Sequence, residues 1–185
     1  MSGINLLLTQ LLATWSAELQ LWALNGSLVS AAVETLALEE ADAELTELID
    51  LLASGNFAML PKVELLEADA IAGVRAAYTS SNGTIYLNAD WLAGVSMDEA
   101  LVVLTEEFGH HLDSLFNSID TAGDEGEFFA ARLTGASLDS IELERLAEEN
   151  DQLLITVGGQ LLEAEASGSD AQAPILLGLS LSSTL

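Results

Sequence analysis

The segment from Ser96 to Asn117 constrains the fold more than any other stretch, because it predicts one long helix with two different sides. Ser96 and Glu99 have the spacing of a capping box, which starts a helix at about Met97. On a helical wheel, one side is an apolar stripe that should face a core. The stripe comprises Leu101, Leu104, Phe108, Leu112 and Leu115. The opposite side carries Glu106, Glu107, His110, Asp113 and Asn117.

The spacing on the polar side suits a metal ion. Glu106 and His110 stand four positions apart, so both side chains can reach one ion while a third ligand comes from elsewhere. Glu107 follows the first of them and could act as a general base toward a water molecule. A solvated acidic face is the other interpretation, and the spacing alone leaves both open.

The charge balance limits the partners. The chain of 185 residues has 30 acidic residues against 4 basic ones, for a formal charge of −26. We therefore expect it to repel nucleic acid and anionic membranes, and to attract cations and basic peptides. The chain has no cysteine, which excludes disulfides and thiolate metal sites. Charged residues interrupt the long apolar stretches, so no membrane span is predicted.

Residues 4–53 show helical periodicity, with a stop near Asn25 and Gly26. Strands are predicted within residues 60–68 and 83–92. Past the central helix, a short helix should end near Gly135, and another over 137–151 should be capped by Ser137 or Asp139. Residues 153–165 predict a β-hairpin that turns at its two adjacent glycines.

The central motif resembles a known family. "EEFGHHLD" followed by "GDEGEFFAARL" is similar to the zincin metallopeptidases, in particular the branch typified by anthrax lethal factor. The likeness is specific over about 104–133 and plausible from about residue 55. It implies that His110 is the second zinc-binding histidine, Glu107 the general base and Glu127 the third ligand. Glu106 stands where that family has its first histidine. The chain also resembles a domain of large secreted calcium-binding proteins of cyanobacteria.

The resemblance implies an α+β fold. We expect a zincin-like core over 55–165, made of a small mixed sheet, an active-site helix and a following ligand helix. A helical N-terminal extension would occupy 1–54. A flexible tail would occupy 166–185 and could serve as a C-terminal export signal. The strand within 83–92 would lie beside the cleft and align an extended peptide substrate.

The resemblance also implies one divalent metal, with zinc the first expectation. Two carboxylates and one imidazole are harder than the usual zincin set, so manganese, iron or calcium also fit. The extra anionic ligand should lower the metal's Lewis acidity. We therefore expect a weak or degenerate peptidase that acts on peptides or proteins, with basic ones favoured. The alternative is an inactive zincin-fold module that binds a partner or serves a structural role in an exported protein.

Other side chains have weaker signals. Asp113 could orient His110 or close the site, or it could be a solvated helix residue. His111 points away from His110 on the wheel and is predicted to be a partly buried histidine with a hydrogen-bond partner. Glu125 is predicted to be solvated. Tyr78 or Tyr86 could stabilise an oxyanion, although no motif places either. No positive charge precedes the first apolar run, so a cleaved signal peptide is not expected. High acidity, few bases and the lack of cysteine, which are usual in bacterial proteins exported by an uncleaved C-terminal signal, favour secretion over a cytoplasmic location.

Overall fold

The structure, a computed structural model, describes residues 3–117, 121 and 123–167. It begins with three helices: α1 (Gly3–Asn25), α2 (Ser27–Thr35) and α3 (Ala43–Ala53). Gly26 separates the first two with a φ of 81°, a value that favours glycine. Asp42 caps α3 by accepting a hydrogen bond from the Leu45 amide. The helical prediction for this region is confirmed, including the break at Asn25, except that residues 36–42 between α2 and α3 are not helical.

Five strands form one mixed sheet: β1 (Lys62–Leu66), β2 (Ala76–Thr79), β3 (Thr84–Asn88), β4 (Gln152–Val157) and β5 (Gln160–Ser167). Their order is β1-β3-β2-β5-β4. β1 and β3 are parallel, and the other neighbouring pairs are antiparallel. The hairpin β4–β5 turns at Gly158 and Gly159, as predicted, and both have positive φ.

The strand predicted to align a substrate is internal. β3 is bonded to β1 on one side and to β2 on the other, so both of its edges are filled. The remaining edge of β2 is filled by β5, in the register Ala76–Ser167, Ala77–Ala166 and Tyr78–Glu165. A peptide therefore cannot pair with β3, and it can pair with β2 only if β5 leaves.

Four further helices complete the order of elements: α4 (Ala89–Gly94), α5 (Met97–Phe116), α6 (Glu125–Thr134) and α7 (Ser140–Glu148). Ser96 caps α5 by accepting a hydrogen bond from the Glu99 amide. Asp139 begins α7 in a capping box with Glu142. Gly135 ends α6 with a φ of 75°. These ends agree with the predicted helix boundaries.

One apolar core joins the N-terminal helices to the sheet and α5. The Trp15 ring meets the edge of the Phe108 ring, with centroids 5.5 Å apart. Leu104, Phe108 and Leu112 lie in this core as predicted, but Leu115 is 48% exposed, so its place in the stripe was wrong. Leu115 lies in the last turn of α5, where its neighbour Phe116 packs against the core instead. A smaller apolar cluster under the hairpin includes Ile71, Tyr86 and Ile155.

Seven helices and a five-stranded mixed sheet confirm the α+β class for the described ranges. Among those residues, none of the helices combines the length and the apolar character that crossing a bilayer requires. The tail predicted as a candidate export signal lies outside the described residues from 168 onward.

Candidate metal centre

Helices α5 and α6 approach closely because each presents a glycine to the other. A Cβ built on Gly109 would lie 2.8 Å from the Cα of Gly126. A Cβ on Gly126 would lie 2.5 Å from Nε2 of His110 and 2.7 Å from the carbonyl oxygen of Glu106. These distances are too short for any side chain, so the two glycines permit the approach. The space beside Nε2 stays open as a result.

His110 is fully buried and its ring is oriented by Glu125. Nδ1 of His110 lies 2.8 Å from Oε1 of Glu125. A carboxylate at Nδ1 accepts a hydrogen bond from the Nδ1–H group and leaves Nε2 as the atom available to a metal. Glu125 is only 4% exposed, so the prediction that it is solvated was wrong. It lies in the first turn of α6, where the close approach of the two helices carries it into the interior.

Nε2 of His110 is surrounded by carboxylates. It lies 3.5 Å from Oδ2 of Asp151 and 3.9 Å from Oδ1 of Asp124. Glu106, His110 and Asp124 each offer a ligand atom, and these atoms all lie within 4.8 Å of one another. All three residues are buried. One turn of α5 and the start of α6 thus bring an imidazole and two carboxylates together.

Several polar atoms at this place have no hydrogen-bond partner among the described residues. They include Oε1 of Glu106, Nε2 of His110 and Oδ2 of Asp151. A buried polar atom without a partner costs free energy, so such atoms are rare and call for an explanation. One imidazole nitrogen with carboxylate oxygens is a donor set that zinc, manganese and iron accept. The residues therefore fit a divalent metal.

The electrostatics of the site favour the protonated forms of its side chains. Burial, and then the charge of Asp124, raise the pKa of Glu106 well above its ordinary value. Burial raises the pKa of Asp151 to about 7. Burial works against the charged form of His110, but the hydrogen bond to Glu125 and the surrounding carboxylates hold its pKa well above the ordinary value. The raised pKa values thus favour bound protons on the same side chains that could hold a cation.

Glu107, the predicted general base, lies beside this set and contacts the end of the hairpin. It is fully buried. Oε1 accepts hydrogen bonds from the Ser167 amide at 3.1 Å and from the Ser167 hydroxyl. Oε2 is among the buried oxygens that lack a partner in the described part of the chain. Burial raises the pKa of Glu107 to about 7.

Glu127, the predicted third ligand, forms an ion pair with Arg145, although its charge also raises the pKa of Glu106. Its carboxylate is 2.5 Å from Arg145, which also binds Glu149. Glu127 belongs to a different acidic group, with Asp124 and Glu149. Asp124 takes the third place beside Glu106 and His110, while its Oδ1 also caps α6 by accepting from the Glu127 amide.

Asp113, which the sequence left open as an orienting, site-closing or solvated residue, is bonded to Asn117 and Thr121. Its carboxylate accepts hydrogen bonds from Asn117 and from the amide and hydroxyl of Thr121. It is 3% exposed, so the solvated alternative was wrong. The orienting role falls to Glu125.

His111 is a buried histidine with a partner, as predicted. Its Nδ1 lies 3.1 Å from the hydroxyl of Tyr78, which is 2.8 Å from the hydroxyl of Ser114. Burial lowers the pKa of His111 to about 4, so it is neutral at physiological pH. Tyr86 lies in the smaller apolar cluster under the hairpin and accepts a hydrogen bond from Asn82.

The comparisons with known proteins are negative. No family model matches this sequence. No curated protein and no solved structure matches it either. The resemblance to zincins therefore remains an expectation that rests on the motif residues.

The glycine contact leads to a prediction for Gly126→Ala. The new methyl group would overlap His110 and the α5 backbone, so we expect a loss of about 2 kcal/mol or more of unfolding free energy. Thermal or urea unfolding measures this loss. Gly94→Ala is the matched control, since a Cβ there meets nothing within 4 Å. Equal stability of the two variants would contradict the close approach of the helices.

Proposed function

We propose that this protein is a metal-binding module whose buried centre holds one divalent ion through Glu106, His110 and Asp124. The observation that carries the proposal is the convergence of buried atoms without hydrogen-bond partners on this place, Oε1 of Glu106 and Nε2 of His110. Both residues are at most 5% exposed. Water-accessible acidic clusters are common without a metal, but a buried imidazole nitrogen facing carboxylates is not explained by solvation.

The surrounding residues prepare the donor atoms. Glu125 holds His110 in the tautomer whose Nε2 lone pair faces the acidic set. Gly126 leaves the space beside that nitrogen open. When bound, a divalent metal would supply positive charge against the buried carboxylates and Lewis acidity toward any substrate that reached it. Zinc is the first candidate because an imidazole belongs to the set.

The cover over the site favours a binding or structural role over proteolysis. The edge of β2 that could pair with a peptide is filled by β5. Ser167 occupies one oxygen of Glu107. A substrate would have to displace the end of the hairpin before it reached either group.

A peptidase is the second candidate, and Glu107 is the observation that favours it. Its Oε2 is not engaged by the described residues, and its pKa of about 7 suits a general base at neutral pH. In that case Glu107 would take the proton of the attacking water once β5 had moved. The acidic surroundings would favour basic peptides.

Metal content of purified variants tests the proposal. The protein is prepared without chelators or a metal-binding tag, equilibrated with zinc, desalted and measured by elemental mass spectrometry. We expect about one equivalent in the wild type. Asp124→Asn should lose the metal, because the amide keeps the helix cap but gives up the anionic ligand. Glu127→Gln should retain it, because that side chain belongs to the Arg145 group.

The two variants separate the proposed ligand set from the one that the family resemblance implies. Both remove one negative charge from α6, so each serves as the other's control for net charge. Loss of metal in Glu127→Gln with retention in Asp124→Asn would overturn the ligand set proposed here. Retention of the metal by both variants would mean that neither Asp124 nor Glu127 is a ligand.

A further inference from the structure

Asp151 stands one residue before β4 and is the hairpin residue that comes nearest to Nε2 of His110. Its side chain is 9% exposed, and its Oδ2 lies 3.5 Å from that nitrogen. The Asp151 carbonyl accepts a hydrogen bond from the Ala166 amide at 3.1 Å, so its backbone is fixed by the neighbouring strand. Oδ2 itself has no hydrogen-bond partner in the described part of the chain.

The distance is that of two ligands on one ion. A charge-assisted hydrogen bond between imidazolium and carboxylate would bring nitrogen and oxygen to about 2.7–2.9 Å. Two atoms bound tetrahedrally to zinc, each about 2.0–2.2 Å from it, lie about 3.3–3.6 Å apart. The separation of 3.5 Å matches the second arrangement.

We propose that Asp151 is a further ligand of this metal, and that the ion fastens the β4–β5 hairpin to helices α5 and α6. The inference rests on the proposed metal site and adds the regulation of access to it. Glu106 and His110 belong to α5, and Asp124 caps α6. A fourth ligand from the hairpin would tie a separate part of the chain into the same centre.

The metal would act together with a second attachment at the same open end of the hairpin, opposite the glycine turn. Ser167, the last residue of β5, is bonded to Glu107 and pairs with Ala76 of β2. Without the ion, His110 attracts the Asp151 carboxylate, whereas the carboxylates of Asp124 and Glu125 repel it. The bound ion would replace that repulsion by attraction and keep β5 over Glu107 and over the edge of β2.

Hydrogen exchange with and without zinc tests the role of Asp151, using Asp151→Asn and, as control, Glu163→Gln. Glu163 is an exposed carboxylate on the same hairpin, so its change removes the same charge. Zinc should slow exchange of the β4 and β5 amides at least about tenfold in the wild type and the control. In Asp151→Asn, zinc should still slow exchange in α5 but leave the hairpin amides unchanged. The affinity of Asp151→Asn for zinc should be at least about tenfold lower than that of the wild type.

The outcomes distinguish this inference from the site itself. If Asp151→Asn binds zinc as tightly as the wild type and its hairpin is equally protected, Asp151 is not a ligand and the three-residue site stands. If the wild type binds no zinc, both proposals fall. Circular dichroism of the metal-free variant checks folding, and Asp151→Ser provides a second removal of the carboxylate with the same expected result.

Discussion

Zinc should stabilise the wild-type protein against thermal unfolding, and the stabilisation should disappear when His110 is replaced by glutamine. A ligand present at one hundred times its dissociation constant stabilises the folded state by about 2.7 kcal/mol. For a chain of this size, that corresponds to a rise of roughly 5–10 °C in Tm. His110 supplies the imidazole nitrogen of the proposed set, so its loss should remove most of the affinity.

The second histidine gives the matched control for this experiment. His111 is also buried on α5 but is bonded to Tyr78. His111→Gln should lower the Tm of the metal-free protein, since it disturbs a buried hydrogen bond, and should keep the full zinc-dependent shift. Differential scanning calorimetry at pH 7.5, with and without zinc, measures both quantities. An equal zinc shift in the two variants would mean that the ion binds elsewhere.

The metal-free protein should be more stable at pH 5.5 than at pH 8. The pKa of Glu107 and that of Asp151 are both raised to about 7 in the folded state. The folded state therefore binds more protons than the unfolded state between the ordinary carboxylate pKa and 7, and stability falls as the pH rises through this window. The raised pKa values of Glu106, Asp124 and His110 act in the same direction.

One group opposes this trend. The pKa of His111 is lowered to about 4, so below its ordinary pKa the unfolded chain takes up a proton that the folded protein does not. At pH 5.5 this costs about 1.4 kcal/mol, whereas Glu107 and Asp151 each gain up to about 2 kcal/mol. The net gain from these three groups is therefore about 2–3 kcal/mol toward acid.

Urea unfolding in the presence of a chelator measures this pH dependence. Glu107→Gln should reduce the pH dependence without abolishing it, because the amide does not titrate while the other groups still do. With zinc present the trend should reverse, since the ion displaces protons from the ligands and binds more tightly as the pH rises. A metal-free protein whose stability was constant or rose from pH 5.5 to 8 would contradict the buried, proton-holding site.

The parts of the fold that depend on local sequence could be predicted. The ends of α5, α6 and α7 follow from Ser96, Gly135 and Asp139, which act on their own helix. The hairpin turn follows from two adjacent glycines. β2 could not be predicted, because four residues, Ala76–Thr79, are too few to show a period and gain their stability from both neighbouring strands.

The candidate site could be predicted only where its residues share one helix. Glu106 and His110 are neighbours through helical periodicity alone. The roles of Asp124 and Glu125 depend on how closely α6 approaches α5, which the contact of Gly109 with Gly126 determines. Asp151 reaches the site through strand pairing of a hairpin much later in the chain. No local sequence pattern indicates that it lies there.

The metal content of the wild-type protein tests the central claim most directly. Elemental mass spectrometry after equilibration with zinc and desalting should give about one equivalent per chain. Together with loss of the metal in His110→Gln, that result would show that the buried imidazole and carboxylates form a metal centre. A wild-type protein that retained no zinc, manganese, iron or calcium would contradict the account.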